Sequence, residues 1–138
     1  MSDAELATVE DFLVAYEREG SDADREWRWM SIAPEVCLAL LKRGFAPQSL
    51  LLNKKLPVNV LQVLAAHPDP HIRSLVADKR AAGPVLRTLA SDPDLGVRLR
   101  VVWNAKIPAD LLRSMLDDPA PEVRENARSR MAQLDTRG

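Results

Sequence analysis

Few residues in this 138-residue chain could do covalent or metal chemistry. His67 and His71 flank a proline turn. Two imidazoles fall short of the three or four ligands that a zinc site needs, and no cluster of further ligands stands beside them. Cys37, the single cysteine, lies between Val36 and Leu38 in an apolar helical stretch and reads as a small core residue. Alone it can form neither an internal disulfide nor a cysteine-ligated cluster. Asp117-Asp118 is an acid pair at a helix end, explained by a cap or a solvated turn. No Gly-rich phosphate loop, nucleophile elbow or His-Glu-x-x-His is present. The expectation is a protein that is not an enzyme, with no catalytic residues, metal or cofactor.

What remains is the chemistry of binding. Lys54, Lys55, Lys79, Arg80 and Lys106, with Arg100 nearby, recur at junctions along the chain. Cations there suit the C-terminal end of a helix. Lined up along one edge, they would instead form a basic strip able to hold phosphates or an acidic partner. Arg73, Arg98 and Arg124 form a second column. Arg73 and Arg98 stand four residues after Asp69 and Asp94, a spacing that predicts a local ion pair. A column at a repeat period is also what stacking geometry demands, so its first reading is structural. Asn53 and Asn104, with Asp78 between them, are expected to cap helices or bond inter-repeat backbone. Trp103 stands where the preceding copy has the small Ala77, either as a packing adjustment or as a surface anchor. Trp27-Arg28-Trp29 places two indoles on different sides of a helix, so one is expected in solvent as a partner anchor.

The formal charge of −1 conceals an asymmetry. Residues 1–31 hold nine acids and three bases, and residues 42–106 hold eleven bases and four acids. The acidic start is able to mask the basic middle or to attract a basic partner. Apolar residues make up 46% and charged ones 28%, an ordinary globular balance. No apolar run approaches the ~18 residues that span a bilayer, and the start lacks the basic and apolar pattern of a signal peptide. With one cysteine, these features lead to the expectation of a cytoplasmic protein without membrane contact.

The elements that position these residues emerge when the chain is compared with itself. Leu64–Arg73, Leu89–Arg98 and Met115–Arg124 align, with Pro68, Pro93 and Pro119 spaced by 25 and 26 residues. Leu61, Leu86 and Leu112 precede each proline by seven residues, and Val60, Val85 and Leu111 by eight. Each copy predicts two short helices. Pro57, Pro84 and Pro108 fit the first turn of helix A. The Asp-Pro turn ends it, and Asp69 or Asp94 caps helix B. Helix B is expected over 70–78, 95–104 and 121–131, with Ile72, Leu75, Val76, Val97, Val101, Val102, Val123 and Ala127 facing inward. A weaker copy begins at Ala33-Pro34, carrying Leu38, Leu40 and Leu41. Ahead of it, Ser2-x-x-Glu5 is a capping-box pattern, Leu6, Val9, Phe12, Leu13 and Tyr16 form one helical stripe, and Gly20 is a fitting stop.

The succession of Leu-Pro, paired leucines, Leu-Ala-x-Asp-Pro-Asp, Val-Arg and Val-Ala-x-Asn, carried best by Leu86 to Asn104, resembles the leucine-rich repeat variant family over about residues 33–131. That resemblance implies a right-handed superhelix of alternating α-helices and short 3₁₀ or α helices, without strands. Some members carry a cysteine-rich iron–sulfur segment at the N-terminus, which this chain, with Cys37 alone, cannot provide. The family is defined by its repeat and not by a reaction. HEAT-like arrays are similar in architecture, with longer repeats, and some bind DNA. The expected fold is all-α: a short α-solenoid of about four repeats (32–56, 57–81, 82–106, 107–131) behind an acidic helical cap at 1–31. The expected function is a non-enzymatic scaffold that binds a protein partner, an acidic one by preference. The alternative is DNA phosphate binding through Lys54, Lys55, Lys79, Arg80, Arg98, Arg100 and Lys106.

Overall fold

The computed structural model of the chain describes residues 5, 6, 8–19 and 26–137. These are mostly helical, and they fall in two compact units, Met1–Leu64 and Ala65–Gly138.

In the first unit, strand β1 (Glu5–Leu6) pairs in parallel with β2 (Ser31–Ile32), joining Leu6 to Ile32 in register. This two-residue ladder departs from the strand-free expectation. Leu6 therefore belongs to a strand and not to the helical stripe. Helix α1 starts later, at Val9, and runs to Glu19. Thr8 caps it, its Oγ1 accepting from the Asp11 N–H at 3.0 Å, because a threonine oxygen satisfies a first-turn donor. The predicted Ser2 cap and Gly20 stop lie outside the described residues, and Glu5 sits in β1. A 3₁₀ turn at Glu26–Trp29 follows.

Helix α2 (Pro34–Lys42) ends at Gly44, whose φ of 87° lies in the left-handed region that glycine enters without strain. There Phe45 N–H donates to Leu40 C=O and Gly44 N–H to Leu41 C=O, the Schellman pattern. That turn delivers Phe45 to a cluster with Phe12, Tyr16 and Trp27, whose ring centroids lie 5.2–5.8 Å apart. Helices α3 (Pro47–Leu50) and α4 (Val58–Leu64) complete the unit and bury Leu50, Val60, Leu61 and Leu64.

The second unit holds α5 (Pro70–Ala77), α6 (Gly83–Leu89), α7 (Leu95–Val102), α8 (Ala109–Ser114) and α9 (Pro121–Arg137), with 3₁₀ turns at Arg80–Ala82 and Met115–Asp117. All three predicted B helices are α-helical. Helix α9 runs six residues past its predicted end at Met131. Helix α7 packs between α5 and α9. Val85, Leu86, Leu89, Leu111, Leu112 and Met115 from the A helices are buried, as are Ile72, Val76, Val97, Val101, Val102, Val123 and Ala127 from the B helices. Leu75, expected inside, is only half-buried, and Ala77 takes the inner position at the end of α5. Helices of six to eight residues are marginal in water, so this shared core is what holds them helical.

Asp69 and Asp94 cap α5 and α7 as their spacing predicts, accepting from His71 N–H at 2.8 Å and Val97 N–H at 3.1 Å. Pro84 lies in the first turn of α6. Pro108 is instead the cap residue of α8, and Pro57 immediately precedes α4, each one residue earlier than expected.

Candidate functional site

The arginine column makes a different contact from the expected one. Asp69 and Asp94 are occupied as caps, so Arg73 and Arg98 reach past their own repeats. Arg73 grips Asp92, with Nε on Oδ2 at 2.8 Å and Nη2 on Oδ1 at 3.1 Å. Arg98 grips Asp118 in the same way, at 3.0 and 3.3 Å. The third nitrogen, Nη1, turns back to its own repeat: Arg73 to His67 C=O and Pro68 C=O, Arg98 to Asp92 C=O, and Arg124 to Asp118 C=O and Pro119 C=O. In Arg73 and Arg98 the planar guanidinium fork thus ties two successive proline turns together. The aspartates also order their own turns, Asp92 accepting from Asp94 N–H and Asp118 from Ala120 N–H, both at 2.9 Å. His67 stands in the same column and accepts from Asp69 N–H through Nδ1 at 3.0 Å. Burial works to raise the Asp92 carboxyl; the Arg73 guanidinium and the Asp94 N–H outweigh it and hold Asp92 below its usual 3.8. The sequence did carry a signal for Asp92 and Asp118, since both immediately precede the repeated proline.

Asparagine makes the second recurring device. Asn104 Nδ2 donates to Ala77 C=O at 2.7 Å and Lys79 C=O at 2.8 Å, while Oδ1 accepts from Lys106 N–H at 2.7 Å. Asn53 does the same in the first unit, with Trp27 C=O at 2.7 Å, Met30 C=O at 2.9 Å and Lys55 N–H at 2.8 Å. Both amides are buried, so the expected bond to backbone at a junction is what the side chain makes. Asp78 does not share this role. Counted from the helix ends, Asp78 caps α5 where Trp103 caps α7, so Trp103 corresponds to Asp78 and not to Ala77. Asp78 is exposed and pairs with Arg100.

Around Asn104 the second unit places the Arg130 guanidinium and one indole. Trp103 is 40% exposed, and its Nε1–H donates to Asn126 Oδ1 at 2.9 Å. The Arg130 guanidinium carbon lies 5.7 Å from the indole centroid, within cation–π range. Arg130 Nη2 approaches Asn104 C=O at 3.5 Å, and its Nε is buried without a partner among the described residues. The Lys79 C=O and the Lys106 N–H are joined through the Asn104 side chain, and exposed Arg80 follows Lys79 in the chain. Asn126 and Arg130 were not foreseen; they follow α7 by a repeat length, but nothing in their types marks them. Arg98 pairs with Asp118, and Arg100 with Asp78.

In the first unit Trp27 is fully buried in the aromatic cluster, whereas Trp29 is 57% exposed. Lys54 and Lys55 are exposed at the turn below Asn53. Cys37 is buried, and burial pushes its thiol up to about 12, with a backbone hydrogen bond opposing and the Glu35 charge assisting. Among the described residues no three His, Cys, Asp or Glu side chains converge as a metal site, and no helix is long and apolar enough to cross a membrane.

No protein-family model, curated protein or solved structure matches this chain.

Proposed function

We propose that this chain is a non-enzymatic protein-binding module, built as a short right-handed α-solenoid of about four repeats and akin to the leucine-rich repeat variant family. The repeat reading is supported by the paired arginine forks at Arg73 and Arg98 and by the matching asparagine bonds at Asn53 and Asn104. Its non-enzymatic character is supported by what the polar side chains do, since Asp92, Asp118, Asn53 and Asn104 are all engaged in holding turns. A cytoplasmic setting rests on composition alone, chiefly the single cysteine.

The binding surface is the Trp103 patch. The observation that carries it is an indole 40% in solvent yet held at its Nε1 by Asn126 and on its face by Arg130, beside Asn104, whose side chain bonds the Lys79 C=O and the Lys106 N–H. An immobilised aromatic loses little entropy on binding, which is why tryptophan with arginine dominates interface energetics. The cationic surround selects an acidic partner. The test is affinity capture from native lysate with a photo-crosslinking residue in place of Arg80, followed by Trp103→Ala. The expected result is one acidic protein crosslinked, and its loss in Trp103→Ala with the circular dichroism spectrum retained. Crosslinks that Trp103→Ala leaves unchanged, or none, overturn the reading.

The same cations and indole support a second reading, phosphate contact with base stacking. Lys79, Arg80 and Lys106 of the second unit would carry it, beside Trp103. Affinity for a DNA duplex or single strand that falls steeply with salt would favour it; no binding at low salt would end it.

A further inference from the structure

The arginine–aspartate ladder is open at one end. Arg73 and Arg98 each use Nη1 to hold their own turn and the Nε/Nη2 edge to hold a carboxylate from the next. Arg124 holds its own turn as Arg73 does, with Nη1 at 2.8 Å from Asp118 C=O and 3.1 Å from Pro119 C=O. Its Nε/Nη2 edge meets no carboxylate among the described residues. The neighbours one turn away are Ala120, just before α9, and Pro121, Ala127 and Arg128 on it, none of them acidic. Arg128 is exposed where α7 presents buried Val102, so this end of the unit adds positive charge instead of an apolar stacking face.

From this geometry we infer that Arg124 is a docking site for a carboxylate presented at a tight turn by an acidic partner protein. The guanidinium is already oriented by two carbonyls, so binding needs little further ordering of the side chain. The fork geometry asks for a carboxylate held in one plane, as Asp92 and Asp118 hold theirs. A second copy of this chain is poorly suited to supply it. Asp92 and Asp118 are taken by Arg73 and Arg98, the turn at Pro68 carries His67 in that column, and the turn at Arg43–Ala46 has no acid. The site is separate from the Trp103 patch: Arg124 lies about 200° around α9 from Asn126, at 3.6 residues per turn.

The test reads the arginine Nε–H signals of the intact, 15N-labelled protein by NMR. The probe is a blocked Ser-Asp-Pro-Asp peptide, which copies residues 91–94. The expected result is that the Arg124 signal moves progressively on titration while those of Arg73 and Arg98 stay in place. Arg124→Lys, which keeps the charge but loses the fork, should weaken peptide binding at least about threefold. Trp103→Ala should leave the Arg124 response intact, which separates this site from the patch. An Arg124 signal that does not move overturns the inference. So does an equal movement with the Ser-Asn-Pro-Asn peptide, or with acetate at the same concentration, because the first denies the carboxylate and the second denies the turn.

Discussion

At the scale of the residue, the same ion-pair chemistry has two different values here. Arg98 and Asp118 keep only 13% and 5% of their side chains in solvent, whereas Arg87 and Asp110 keep 58% and 65%. Removing Arg98 strands a buried carboxylate and frees Asp92 C=O, so Arg98→Ala should destabilise the protein by about 3 kcal/mol in urea denaturation. Arg87→Ala should leave the urea midpoint unchanged, since an exposed pair competes with water and salt. The depressed Asp92 carboxyl sets a pH dependence. A group whose folded value lies below its unfolded one contributes stability above the unfolded value and loses it as pH falls through the folded value. Stability should therefore drop as pH falls below about 4, and Asp92→Asn should flatten that limb when acid titrations are followed by circular dichroism. Cys37, buried and with its thiol pushed up to about 12, should resist a disulfide reagent in the native protein and react fully in denaturant.

At the scale of the element, helix ends decide more than helix interiors. Helices of six to eight residues leave a large share of their backbone groups without intrahelical partners. Asp69 and Asp94 satisfy donors at the starts of α5 and α7, and Asn104 satisfies carbonyls at the far end of α5. Asn104→Ala removes the side-chain bonds to the Ala77 C=O, the Lys79 C=O and the Lys106 N–H at a buried junction. It should cost about 2 kcal/mol in thermal or urea denaturation. The corresponding loss at Asn53→Ala should appear as exposure of the buried Trp27, a red shift in fluorescence, because Asn53 holds the Trp27 and Met30 carbonyls. If Asn104→Ala unfolds at the wild-type midpoint, the asparagine device is not structural.

At the scale of the whole molecule, the helices of the second unit share their stability through packing on one another. No helix of the second unit up to α8 exceeds eight residues, so each depends on the face its neighbour covers. Leu86 is fully buried in the middle of that unit. Leu86→Ala should lower stability by about 3 kcal/mol, and hydrogen exchange should rise together in α5, α7 and α9. Exchange confined to α6 would show that the helices fold independently. The charge asymmetry between residues 1–31 and 42–106 belongs to this scale as well, because it acts on partners at a distance and is attenuated by salt.

The repeat and most of the buried leucines and valines could be read directly from the chain. A period of 25 or 26 residues and a helical spacing of apolar side chains are local properties, and burial follows them because each short helix has only one face to hide. The aspartate caps were legible for the same reason, since an oxygen two or three residues from a free N–H needs no help from elsewhere in the chain. The partners of the arginines were not legible. Asp69 and Asp94 satisfy the local rule, but the helix starts claim them, and Arg73 and Arg98 find carboxylates 19 and 20 residues away, which only the packing of one turn against the next brings within 3.0 Å. Likewise the pattern Trp27-Arg28-Trp29 indicated that one indole would be outside, and the aromatic cluster with Phe12, Tyr16 and Phe45 selected Trp29. Trp103 could be singled out as irregular from the chain alone. Its attachment to Asn126 and Arg130 exists only where α9 lies beside α7.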